Sequence, residues 1–264
     1  MRHRPRITAL DLALRRRSIV GYSLGMALYT LVIVALYPAF KHTTSLDKLA
    51  TDNPAVAALL GVVGSLTSPG GWLNANIYEY FLPLVLLLST VGYGAAALAG
   101  HDEDGTLGLV VSLPVRRATV VGEKALAMGI QAMAIAVAVA VCVELGRFFD
   151  VTAGVGHVLT VTLATVLLGL DYGLVALAVG AATGRRSTAI GAASALAAAS
   201  YLVSSLAPVV AWIRPARFLS LFYWAVGNDQ IANGVSLADY AVLLGVGIIA
   251  LGVGALAFER LDLH

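Results

Sequence analysis

Acidic side chains in or beside long apolar runs are the first residues of this sequence that could do chemistry. Asp171 stands near the middle of such a run, next to Tyr172. An ionisable group inside a membrane is costly unless it faces protein or water. Asp171 is therefore either a contact for a cationic substrate or a hydrogen-bonded packing residue, and both interpretations stay open. Glu79 is a further candidate contact, but its position at the start of an apolar run favours a solvated carboxylate at a helix end.

Motifs for catalysis, metal binding and phosphate binding are missing from the sequence. It contains no G-x-x-x-x-G-K-[ST] phosphate loop, no H-E-x-x-H zinc pair and no G-x-S-x-G nucleophile elbow. The single cysteine, Cys142, and the five histidines do not form a cluster with metal-ligand spacing. We therefore predict no catalytic residue, no metal and no cofactor bound by this chain.

Residues 101–117 have the most distinctive pattern of the chain. Three acidic residues precede Gly105, a short apolar stretch follows, and Pro114 leads to Arg116 and Arg117. The apolar stretch is too short to cross a bilayer, which needs roughly 20 residues. It predicts a short surface helix, which either docks in a groove of a partner protein or lies among lipid headgroups.

Composition identifies a membrane protein. Of 264 residues, 59% are hydrophobic and only 12% are charged, whereas soluble domains have about 25% charged residues. This excludes an ordinary soluble enzyme and a disordered chain. The net charge of +2 is too small to indicate nucleic acid as a partner.

Six continuous apolar segments are long enough to span a bilayer as helices. None shows the alternation typical of barrel strands, so we predict an all-α membrane domain with six transmembrane helices. The predicted spans cover residues 18–40, 76–99, 118–143, 158–182, 188–213 and 238–258.

The distribution of basic residues orients these spans, since cytoplasmic loops carry the excess of Lys and Arg. Six spans with a cytoplasmic N-terminus place twelve basic residues inside: Arg2, Arg4, Arg6, Arg15, Arg16, Arg17, Arg116, Arg117, Lys124, Arg185, Arg186 and Arg260. Five then lie outside: Lys41, Lys48, Arg147, Arg214 and Arg217. If residues 54–66 also crossed, the counts would be nine and eight. Six spans are therefore favoured, with both termini in the cytoplasm.

Several segments are predicted to lie outside the spans of this single domain, 1–264. Residues 1–17 have Ile7, Leu10 and Leu14 at helical spacing, which favours an amphipathic helix on the cytoplasmic leaflet over a disordered basic tail. The outer loops are 41–73 and 214–236. Residues 54–66 are predicted to form an interfacial or re-entrant helix, and 214–236 an outer lid or re-entrant helix, or a simple aromatic belt. Glu144 and Arg147 are spaced for a local ion pair.

The stretch from Glu103 to Arg117, E-x-G-T-L-x-L-x-x-S-x-P-x-x-R, resembles the cytoplasmic coupling loop of type-2 ABC exporter permeases. Weaker similarities extend over nearly the whole chain, including Gly184, Arg185 and Arg186 before the fifth span. The relatives that this resemblance indicates are multidrug or antibiotic exporter permeases.

The resemblance implies a permease that pairs with a second copy or a homologous permease and binds two copies of a soluble ABC ATPase, which holds the ATP and Mg²⁺. The coupling helix would lie in a groove of that ATPase, and the N-terminal helix would contact it too. The implied coupling residues are Glu103, Gly105, Thr106, Leu107, Leu109, Leu113, Pro114, Arg116 and Arg117.

We therefore expect a non-catalytic subunit of a multidrug-type exporter in the bacterial cytoplasmic membrane. It would move a lipophilic or amphipathic substrate outward, on a path that includes Asp171, Tyr172 and Glu79. The alternative is an ion- or proton-coupled secondary transporter that uses Asp171 as its relay; it leaves the charged 101–117 segment unexplained and has no recognisable inverted repeat.

Overall fold

The computed structural model describes residues 7–43, 65–100, 117–227 and 230–259. Within these residues the chain is helical and contains no strand. The α-helices are α1 (Ile7–Leu14), α2 (Arg16–Phe40), α3 (Pro69–Leu73), α4 (Phe81–Ala97), α5 (Arg117–Leu145), α6 (Val155–Thr183), α7 (Arg186–Leu206), α8 (Leu221–Ala225), α9 (Gln230–Asn233) and α10 (Leu237–Glu259). A π-helical turn, Asn74–Tyr78, joins α3 to α4, and 3-10 turns occupy Gly146–Phe149 and Arg214–Leu219.

Six helical segments of the described chain are long and apolar enough to cross a membrane, as the sequence predicts: α2, the segment Pro69–Ala97, α5, α6, α7 and α10. Two boundaries differ from the prediction by seven residues, and the others by at most three. The second span begins at Pro69 instead of residue 76, and the fifth ends at Leu206 instead of residue 213. Pro208 explains the early end of α7, because proline lacks the N–H that would continue the helix.

Helix α6 forms the centre of the bundle. In its apolar stretch 72% of the residues are buried, compared with 17% in α2, 28% in α7 and 22% in α10. Its main neighbours are α4 and α10. The outer helices therefore leave wide apolar faces for lipid or for other protein.

Small residues allow the backbones of α4 and α6 to come into direct contact. A Cβ atom at Gly94 would lie 2.1 Å from the carbonyl oxygen of Gly173, and a Cβ at Gly173 would lie 2.8 Å from Thr90 Cβ. Thr90 Oγ1 also donates a hydrogen bond of 2.6 Å to the carbonyl of Gly169. Close contact of this kind is the main source of helix association in lipid, where apolar burial between helices gains little.

Helices α6 and α7 form a tight hairpin at one end of the bundle. Gly184 ends α6 with a φ of 65°, a left-handed conformation that glycine adopts without steric cost, and α7 starts two residues later at Arg186. This end also carries α1, the start of α5 and the end of α10, and we call it the α1 end.

Gly94→Ala should destabilise the protein, because the added methyl group has no space between α4 and α6. Overpacking a well-packed core costs about 1–3 kcal/mol, and we expect a lower melting temperature and a lower yield of monodisperse protein in detergent. Gly92→Ala on the same helix is the matched control, since a Cβ there would meet no atom within 4 Å. Equal melting temperatures for the two variants would contradict the packing described here.

Candidate functional site

A cavity of about 490 Å³ lies between α4 and α7, and we call it the α4–α7 cavity. Its wall is mostly aliphatic and aromatic. It is lined by Glu79, Tyr80, Pro83, Leu84, Leu87, Leu88, Val91, Gly92, Ile190, Ser194, Ala197, Ala198, Tyr201 and Phe222. A volume of this size is within the range of sites that take drug-sized ligands.

Glu79 is the acidic residue in this wall, and the expectation that it is a solvated helix-end residue is wrong. Glu79 is buried, with only 5% of its surface exposed. Because the span starts ten residues earlier, at Pro69, Glu79 lies inside the bundle. The helix is broken just after Glu79, upstream of Pro83, whose nitrogen cannot donate to the Glu79 carbonyl. This break brings Glu79 and Tyr80 into the cavity wall.

Aromatic rings line or support the same wall. The ring centroids of Tyr80 and Tyr201 are 5.9 Å apart, and Tyr201 meets Phe222 edge-on at 5.4 Å. Phe222 is buried, because the hydroxyl of Ser220 at the start of α8 donates to the backbone carbonyl of Ser200 at 2.7 Å and holds that helix against α7. Sequence reasoning missed Tyr201 and Phe222, since only tertiary contact between the 214–236 segment and α7 brings them together.

The other two expected path residues lie on α6 and do not line the cavity. Tyr172 supports the wall from behind, with its ring centroid 6.2 Å from that of Phe222. Asp171 is 2% exposed and faces α10 instead, where a Cβ at Gly247 would lie 2.7 Å from its Oδ1 atom. Asp171 Oδ2 has no hydrogen-bond partner among the described residues. The structure therefore separates Asp171 from Glu79.

Of the expected coupling residues, only Arg117 belongs to the described part of the chain; Glu103, Gly105, Thr106, Leu107, Leu109, Leu113, Pro114 and Arg116 lie outside it. Arg117 starts α5 and donates to the backbone carbonyls of Phe258 and Glu259 at 3.0 and 3.2 Å. Its guanidinium is also 5.7 Å from the centroid of the Phe258 ring. Arg117 thus caps the C-terminal end of α10.

Helix α1 forms, and two of the three apolar residues at helical spacing, Leu10 and Leu14, lie on its exposed face, while Ile7 packs on the bundle. Ile7 and Leu12 pack on the bundle, whereas Leu10 and Leu14 are 62% and 75% exposed. The face toward α5 is polar: Lys124 Nζ lies 2.8 Å from Asp11 Oδ2, and the Thr8 hydroxyl donates to the Glu123 carbonyl at 3.0 Å. Spacing alone could not show this, because Glu123 and Lys124 are more than 100 residues away in sequence.

At the opposite end of the bundle, ion pairs lie in and beside the segments that connect the helices. Glu144 and Arg147 form the expected local pair at 2.9 Å. Lys41 contacts Asp150 at 2.8 Å, and this hydrogen bond and charge hold the pKa of the exposed Asp150 carboxyl below its usual range. The residues 54–64 of the expected interfacial segment lie outside the described residues. The described parts of 214–236 form short helical turns.

Comparison with known proteins gives the family. The family described as ABC-2 family transporter protein matches residues 6–263. No curated protein matches the chain at a significant level. With six helices able to span a membrane and a family match over nearly the whole sequence, this chain belongs to the ABC-2 transporter membrane family and is a multi-pass membrane protein.

Proposed function

We propose that this chain is the permease subunit of an ATP-driven exporter that moves lipophilic or amphipathic molecules out of a bacterial cell. The observation that supports this most strongly is the family match over residues 6–263. A soluble ABC ATPase would supply the energy, because the sequence contains no phosphate loop. Two ATPase copies and a second permease, identical or homologous, would complete the transporter.

In this proposal the α1 end of the bundle lies in the cytoplasm. The excess of basic residues on that side supports the orientation, since the positive-inside rule counts Lys and Arg near the ends of the spans. The connection between α4 and α5, residues 101–116, then faces the ATPase. Its acidic, apolar and basic order suits a helix received by a groove of that partner.

The α4–α7 cavity is the proposed place for substrate. Its aliphatic and aromatic wall suits an apolar body of drug size, and Glu79 offers a carboxylate for a positively charged group. Aromatic rings attract cations as well, and Tyr80 and Tyr201 lie in the same wall. Amphipathic cations are therefore the substrates that this cavity would favour.

Glu103→Arg and Gly105→Trp should each abolish the stimulation of the partner ATPase by the permease, because both would alter the acidic and glycine positions of the segment proposed to contact the ATPase. We expect at least a tenfold loss of stimulation with normal membrane insertion. A tenfold change in rate corresponds to about 1.4 kcal/mol of activation free energy. The measurement is ATP hydrolysis by the co-purified complex in liposomes. Glu144→Arg, a charge reversal at the opposite end, is the control, and unchanged stimulation in both loop variants would reject the assignment.

Glu79→Gln should weaken binding of a cationic dye such as a rhodamine ester roughly tenfold, an effect of about 1.4 kcal/mol. Binding of a neutral dye of similar size should not change, because the substitution keeps the shape of the wall. Fluorescence titration of the purified protein measures both. Ser194→Ala alters a wall residue without altering charge and serves as the control. Equal losses for the two dyes would show that Glu79 does not select for charge.

Asp171→Asn should leave export and its dependence on ATP within about twofold of the wild type. Asparagine keeps the size of the side chain that packs against Gly247, and near-isosteric changes cost little in a packed interior. Transport into inverted vesicles, with ATP or with a proton gradient alone, is the measurement. A proton-coupled carrier that uses Asp171 as its relay would instead lose transport completely in this variant.

A further inference from the structure

Helix α1 is attached to the bundle through a partly buried cluster of polar side chains, which we call the Asp11 cluster: Thr8, Asp11, Tyr93, Glu123 and Lys124. The Asp11 carboxylate accepts from Lys124 Nζ and from the hydroxyl of Tyr93. The side chains of Lys124 and Asp11 are only 6% and 12% exposed. This ion pair is therefore little screened by solvent, unlike a surface pair.

The two partners of Asp11 come from different spans. Tyr93 belongs to α4, which ends at Ala97, and Lys124 belongs to α5, which begins at Arg117. These are the two spans that residues 101–116 connect. The Asp11 carboxylate on α1 thus binds one residue in each of the two helices that this connection joins. Each of these residues lies within about two helical turns of the connection.

Two further contacts hold α1 at neighbouring turns. Thr8 binds Glu123 through its backbone N–H and its hydroxyl, which donates both to the carboxylate and to the backbone carbonyl of Glu123. The Arg15 guanidinium lies 4.5 Å from the centroid of the Tyr93 ring. Residues 8 and 11 share one face of α1, and Arg15 directly follows this helix, so the contacts extend along nearly its whole length.

The attachment leaves the opposite face of α1 exposed, with Leu10 and Leu14 pointing away from the bundle. A helix held by polar contacts on its inner face keeps its position even when its outer face binds something else. This is the property required of an element that transmits displacement between a partner and the spans.

We propose that Asp11 is a positioning residue that joins α1, the end of α4 and the start of α5 into one rigid unit. A displacement imposed on α1 or on the α4–α5 connection then reaches both spans together. This inference rests on the proposed function, in which that end of the bundle receives the ATPase.

The test measures the ratio of substrate transported to ATP hydrolysed in the wild type and in three variants. These are Asp11→Asn, Lys124→Met and a double variant that swaps the two charges, Asp11→Lys combined with Lys124→Asp. We expect the ratio to fall roughly tenfold in the single variants, the size of a typical coupling between sites. ATPase binding should remain. The charge swap should recover a large part of the ratio, and the conservative Asp11→Glu should keep most of it.

Asp150→Asn is the matched control, because it breaks the Lys41–Asp150 pair of the same length, 2.8 Å, at the other end of the bundle. It should not change the ratio. The inference is overturned if transport in the Asp11 and Lys124 variants falls only in proportion to the amount of folded protein, or does not fall. If these variants do not fold, Tyr93→Phe, which keeps the ion pair and removes one hydrogen bond, should still lower the ratio, and an unchanged ratio overturns the inference.

Hydrogen exchange of the purified permease separates this inference from the proposed function. Asp11→Asn should speed exchange in Ile7–Leu14 and also at the start of α5, whereas Asp150→Asn should not. If the wild-type complex shows no ATP-driven transport, the proposed function fails, and the exchange result still decides whether Asp11 holds the unit together. Unchanged exchange in Asp11→Asn rejects the rigid unit.

Discussion

The backbone contact between α4 and α6 at Gly94 and Gly173 is the interaction on which the other features depend. A Cβ at Gly94 would overlap the Gly173 carbonyl, so the two helices lie as close as their backbones allow. Helix α4 carries Tyr93 at this contact, while Tyr80 and Glu79 lie just before its start. By fixing α4 against the buried centre of the bundle, the glycine pair positions both the wall of the α4–α7 cavity and one partner of Asp11. Lipid offers little apolar driving force for helix pairing, and this explains why small residues are found at the contact.

Polar groups in the bundle fall into two sets with different surroundings. Glu79 and its neighbouring rings lie beside a cavity large enough for a ligand, whereas Asp171 lies in a packed contact between α6 and α10, where a Cβ at position 247 would lie 2.7 Å from its Oδ1 atom. A buried carboxylate in a packed interface suits a structural role, and one beside a cavity suits recognition. In sequence Asp171 stands in the middle of an apolar run and Glu79 at the start of one, but only the cavity shows which of the two could meet a ligand.

Several contacts hold helix ends together at the α1 end of the bundle. Arg117 caps the end of α10, Asp11 joins α1 to α4 and α5, and Gly184 turns the chain sharply from α6 to α7. These contacts involve five spans and α1, at the side where the connection 101–116 begins and ends. In the proposed function this end contacts the ATPase, and firmly held helix ends would then be needed, because displacement of a loosely held loop would be absorbed locally instead of moving the spans.

The sequence by itself determined the class and the spans: continuous apolar runs of about 20 residues can cross a bilayer only as helices, and all six expected runs are helical. The Glu103 to Arg117 pattern also indicated the family that the full-length match shows. Only the tertiary structure decided where Glu79 lies, which face of α1 is buried, and that Tyr201 and Phe222 share a wall. These features depend on contacts between residues distant in sequence, and on a helix start at Pro69 that hydropathy could not locate, since the polar and glycine residues before position 76 obscure it.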